Sequence, residues 1–93
     1  MKTYPSQTKS TMEGFDTLRY IASSDKGWGN GDTPHHAVSN LNLQNGGKNS
    51  NKEYRLIEVH YRKDDPASDF GNDGYGHWWF EGCHVVNHGD KIQ

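Results

Sequence analysis

The chain has 93 residues, enough for one domain with a single small core. Leu, Ile, Val and Phe number only 14, so a folded interior must lean on the three Trp, five Tyr and three Phe. A formal charge of −2 excludes charge-driven disorder and a general electrostatic grip on nucleic acid, although six histidines would carry it toward +4 in acid.

One cysteine excludes an internal disulfide and fits a reducing compartment. No stretch has the length of an apolar span, and "MKTYPSQTKSTMEG" lacks the apolar region of a secretion signal, so a cytoplasmic protein without membrane contact is expected. A core this small favours self-association, as a homodimer, or a bound partner.

Residues 1–14 are polar and read as a weakly ordered arm before a single α+β domain, 15–93. "FDTLRYIASS" (15–24) is the first predicted strand, rich in aromatic and β-branched residues. "GWGNG" (27–31) reads as a tight bend that anchors Trp28. Thr33 is a good N-cap and Pro34 fits a first helical position; Ala37, Val38 and Leu41 follow at helical spacing, and Gly46 and Gly47 supply a stop. The spacing predicts a helix over 33–45 and a connection over 45–52.

"EYRLIEVHYRK" (53–63) alternates cleanly, with Ile57, Val59 and Tyr61 on one face and Tyr54, Leu56, Glu58 and His60 on the other. "DDPASDFGNDGY" reads as turn chemistry throughout, and "GHWWFEGCHVVN" (76–87) as a third strand. The expected architecture is β-α-β-β, a three-stranded antiparallel sheet with one helix on one face. A further N-terminal strand within residues 2–9 is the alternative, making four.

Several motifs suggest chemistry and fall short of it. Gly27, Gly29 and Gly31 do not match the spacing of a dinucleotide loop or the Gly-Lys-Ser/Thr of a P-loop, and Asp32 sits where a phosphate would be. His77, Cys83, His84 and His88 are zinc-ligand types, but His84 and His88 would stand roughly 13 Å apart along a strand. The same pair suits a His-Asn-His nuclease poorly, because that motif needs a following helix. "DFGNDG" places Gly71 at a calcium-ligand position and Phe80 where the terminal Glu belongs. No metal or cofactor is expected.

Pairing the last two strands with Ile57, Val59, Tyr61, Trp78 and Phe80 toward the helix leaves the other face unpartnered. That face carries Trp79, Tyr54, Leu56, Glu58, His60, His77, Glu81 and Val85. Its Glu and His could act as acid and base, but no nucleophile accompanies them. Exposed Trp and Tyr are typical of binding hot spots, so protein contact is the expected use.

Trp28, Gly29, Gly31, Thr33, Ala37 and Asn40, in "KGWGNGDTPHHAVSNL", resemble a strand–turn–helix pattern of small phage and prophage accessory proteins, among them anti-CRISPR inhibitors. "GDTPHHAVSN" also resembles the helix start of HicB-type antitoxins. The first resemblance implies a mobile-element protein that inhibits a host defence protein by binding it. The second implies a nucleic-acid-binding regulator, a reading that the charge balance disfavours.

Overall fold

The computed structural model describes residues 8–25, 27–44, 53–74 and 77–92. In chain order they form β1 (Thr8–Lys9), β2 (Thr17–Ser24), β3 (Gly27–Gly31), α1 (Pro34–Gln44), β4 (Glu53–Tyr61), β5 (Asp69–Asn72), β6 (Trp78–Glu81) and β7 (His84–Ile92). The α+β class is as expected, but the topology is richer than a three-stranded sheet. One antiparallel sheet holds five strands: β1 and β3 both lie along one edge of β2, β4 along its other edge, and β7 outside β4. β5 and β6 form a separate two-stranded hairpin.

Local chemistry accounts for the helix. Thr33 Oγ1 accepts the His36 N–H at 3.1 Å, the expected N-cap, and Pro34 begins the helix where its missing N–H costs nothing. The stop at Gly46 and Gly47 and the connection 45–52 lie outside the described residues, as do residues 1–7 of the arm. Thr8–Lys9 pair with Leu18 and Thr17, at the end of the span considered for a further strand. α1 has 11 residues, and no helix among the described residues is long and apolar enough to cross a membrane.

Three predicted elements are corrected. "GWGNG" is a strand, not a bend: it pairs with β2 from Ser24↔Gly27 to Tyr20↔Gly31. Gly29 and Gly31 lack side chains where α1 lies directly on their face. A Cβ at Gly29 would stand 2.5 Å from the Ala37 carbonyl oxygen, and one at Gly31 would stand 2.7 Å from the His36 carbonyl carbon. Neither glycine has positive φ. The second correction concerns 76–87, which is two strands: Gly82, at φ 65°, breaks it, and a Cβ there would press on Ala67. β6 therefore leaves the main sheet to pair with β5, a segment that reads as turn.

The sheet is covered on both faces. On one side Ile21, Ile57, Val59 and Tyr61 meet Phe70, Trp78, Phe80 and Cys83. Trp78 and Phe80 thus join Ile57, Val59 and Tyr61 as expected, but the cover is the β5–β6 hairpin and not the helix. The rings form a layer: Tyr61 on Phe70 at 5.1 Å, Phe70 on Phe80 at 6.3 Å, Phe80 on Trp78 at 6.0 Å and Trp78 edge-on to Trp28 at 5.5 Å. On the other side Ala22, Ala37 and Leu41 pack together with Tyr20, Val38 and Tyr54, so the helix lies over β3 and β2 on the same sheet face as Tyr54, Leu56, Glu58 and His60. The small side chains there allow its close approach.

Candidate functional site

The eight residues expected on one open face occupy three places. His77, Trp79 and Glu81 belong to the hairpin. Tyr54, Leu56, Glu58 and His60 lie on the helix-covered face of β4, where Leu56 and His60 are buried. Val85 pairs with Val59 on β7, on the sheet face the hairpin covers, near its border. The expectation of one continuous face fails because it assumed that β6 pairs with β4; β7 takes that position instead.

Trp79 does point outward, as alternation requires. Phe70 and Phe80 form one cross-strand pair directed at the sheet, and the next pair, Gly71 and Trp79, faces away. The indole lies over Gly71, where a Cβ would come within 2.7 Å of Cζ2. Its Nε1 donates to Asp69 Oδ2 at 3.0 Å. Trp79 is 42% exposed, yet its ring is held at two points. Around it the hairpin carries Asp69, Asp73 and Glu81, with His77 Nδ1 on Asp73 Oδ2 at 2.8 Å. An apolar plate braced by Gly71 and Asp69, with an acidic rim, is the result.

The opposite side of the sheet holds a polar chain that composition and periodicity do not reveal. His60 Nδ1 is 2.6 Å from Ser10 Oγ, and His60 Nε2 is 2.5 Å from Glu58 Oε2. Glu58 Oε1 takes His88 Nε2 at 2.9 Å, and the His84 ring lies 6.0 Å from His60. Burial would raise the Glu58 carboxyl, but hydrogen bonds from His88 and His60 outweigh it and hold it below its ordinary value. A carboxylate only accepts, so Nε2 of His60 carries a proton toward Glu58, while the Ser10 hydroxyl, both donor and acceptor, meets Nδ1.

Ser, His and carboxylate in that order are the groups of an activated nucleophile. Here His60 is only 5% exposed, and the Met12 N–H that could steady an oxyanion is bonded to Ser10 Oγ itself at 3.1 Å. The chain acts as a latch. It fastens the β1–β2 connection to β4 while satisfying a buried imidazole. The signal available in sequence was the pair Glu58 and His60, two apart and so on one face of a strand; nothing marks Ser10, fifty residues away.

Three of the four zinc-type residues are likewise engaged elsewhere. The Cys83 sulfur lies 3.2 Å from the Glu81 carbonyl oxygen and 3.5 Å from that of Asp69, either of which can accept its single hydrogen, and burial pushes the thiol pKa up. His77 bonds Asp73 and His88 bonds Glu58. Among the described residues no group of three or more His, Cys, Asp and Glu is placed to hold a metal ion. Asp32, at the helix start, is bonded to His36 and held below the ordinary carboxylate value by that bond. No family model, curated protein or solved structure matches the chain.

Proposed function

We propose that this protein acts by binding, without a chemical step, as a small inhibitor or modulator of a host defence protein of the kind that mobile elements carry, in the cytoplasm. The observation that supports this reading is Trp79, an exposed indole already fixed in place by Gly71 and Asp69. A pre-ordered ring loses little freedom on binding, which is why Trp anchors contribute so much at interfaces. Asp69, Asp73 and Glu81 around it would repel phosphates and suit a basic protein surface. That disfavours the antitoxin-type reading, in which nucleic acid would meet the working face.

The test is capture from bacterial lysate with wild type and Trp79→Ala, each with and without nuclease. A protein partner retained after nuclease and lost with Trp79→Ala is expected. Nucleic acid alone, removed by nuclease, would overturn the proposal in favour of a nucleic-acid-binding regulator.

A further inference from the structure

The two edges of the main sheet are treated differently. At β3, side chains of α1 reach over the strand and occupy its outward backbone groups: Gln44 Oε1 accepts the Trp28 N–H at 2.7 Å, and Asn40 Nδ2 donates to the Asn30 carbonyl. At β7, nine residues long, no strand among the described residues pairs with the outer edge. Outside the bulge, where Asn87 Oδ1 accepts the Gly89 N–H at 2.8 Å, such a row of backbone donors and acceptors is a template for another strand.

Side chains on β7 indicate which strand. Val85 is 37% exposed and Ile92 79%, two of the four large apolar residues exposed among those described. They share a face of the sheet, because Val85 pairs with Val59 and Ile92 with Glu53, both on the Ile57 side of β4. The odd spacing between them is absorbed by a bulge: His88 and Gly89 together stand opposite Leu56, and Gly89 has φ 81° with open space around it.

We infer that β7 pairs antiparallel with β7 of a second copy, about a two-fold axis between His88 and Gly89, joining two five-stranded sheets into one. In that register Val85 lies opposite Ile92 of the other chain, and the pair occurs twice by symmetry. Asn87 lies opposite Asp90, and Val86 opposite Lys91, with every pair on matching faces. No two like charges stand opposite each other. The bulges meet at the axis, where Gly89 brings no side chain. Shifting the register by one residue in either direction would place Val85 and Ile92 opposite residues of the wrong face. Other registers that keep the faces matched leave Val85 and Ile92 without each other. The apolar pairing thus selects this register, and the inference does not depend on Trp79.

Sedimentation of the tag-free full chain tests it. A dimer is expected, and Val85→Lys with Ile92→Lys should weaken it at least about tenfold while circular dichroism and the urea midpoint of the dilute protein stay unchanged. The register has its own readout in a Cys83→Ser background. Val85→Cys with Ile92→Cys should give a covalent dimer on mild oxidation. Val85→Cys alone should not, since the two copies of that residue stand seven positions out of register. A monomer at every concentration, a dimer indifferent to the lysines, or efficient cross-linking through Val85→Cys alone would each overturn the inference.

Discussion

Gly29 gives the sharpest test of how the helix is seated. A glycine in the middle of a strand ordinarily weakens it, so Gly→Ala should stabilise by about 0.5–1 kcal/mol where space allows. At Gly29 the added methyl meets backbone on several sides: the Ala37 carbonyl oxygen at 2.5 Å, the Asn40 carbonyl carbon at 2.8 Å, and the Leu41 amide nitrogen closer still. None of these can rotate away, so α1 must retreat by roughly 1 Å to regain ordinary van der Waals separation. Leu41 and Ala37, both fully buried, would then lose contact with Ala22. The expected cost is about 3 kcal/mol, the upper end of overpacking, and in a domain of this size that lowers the melting temperature by roughly 12–24 °C. Gly74→Ala is the control. It has φ 83° and nothing within 4 Å of a Cβ, so only backbone strain of about 1 kcal/mol applies. Urea unfolding of both variants measures the difference. If Gly29→Ala costs no more than Gly74→Ala, the helix does not rest on the β3 backbone. Nucleotide or phosphate binding abolished by Gly29→Ala would return the glycines to a ligand role.

Trp78→Ala removes a ring from the aromatic layer and should cost roughly 3–5 kcal/mol in urea unfolding, whereas Trp79→Ala should cost far less and weaken partner binding by about 2 kcal/mol. Equal destabilisation by the two would make Trp79 core. The Glu58 carboxyl binds fewer protons folded than unfolded, so its contribution to stability is present above about 4.5 and disappears as pH falls through its lowered folded-state value. Glu58→Gln should therefore reduce stability at neutral pH and flatten the acid limb of the stability profile; an unchanged acid limb would refute the role assigned to its two histidine bonds. Ser10→Ala removes both hydrogen bonds of the hydroxyl, to His60 and from the Met12 N–H, and should cost about 1–3 kcal/mol in urea unfolding, with no loss of any ester hydrolysis. An esterase activity abolished by Ser10→Ala would make Ser10 a nucleophile instead.

Parts of this architecture are legible in the sequence because they depend on neighbours along the chain. Thr33 and Pro34 announce the helix start, and the alternation of β4 correctly groups Ile57, Val59 and Tyr61. Other parts depend on contacts that only the fold creates. Gly27, Gly29 and Gly31 look like a bend by propensity, although their period of two is that of a strand; the reason for Gly29 and Gly31 is a helix that arrives later in the chain. Asp69, Gly71 and Asn72 look like turn residues, but Gly71 is small because Trp79 lies on it, and Phe70 is the one inward residue that betrays a strand. One glycine, Gly82, decides whether "HWWFEGCHVVN" is one strand or two, and that choice moves Trp79 from beside Leu56 to the outside of a second layer. The surface was misplaced by that residue, while the outward direction of Trp79 followed from alternation alone.

The second layer also explains why an exposed tryptophan can be rigid. β5 and β6 have four residues each, too few for a hairpin to be stable in isolation. Their order comes from the inner face, where Phe80 stacks on both Phe70 and Trp78 and Tyr61 meets Phe70 edge-on. Trp79 is therefore only as fixed as the rings behind it. Phe80→Leu keeps the volume largely apolar but removes the stacks with Phe70 and Trp78, which are worth about 0.5–1.5 kcal/mol each beyond area burial. Loosening should concentrate in the hairpin, because Phe80 touches the sheet from outside while β2 and β4 hold each other through seven paired positions. Amide exchange of β5 and β6 should accelerate in Phe80→Leu more than exchange of β2 and β4, and binding through Trp79 should weaken although the outer face is unaltered. If all four strands instead exchange together, the hairpin and the sheet are one cooperative unit, and Trp79 owes its order to the whole domain.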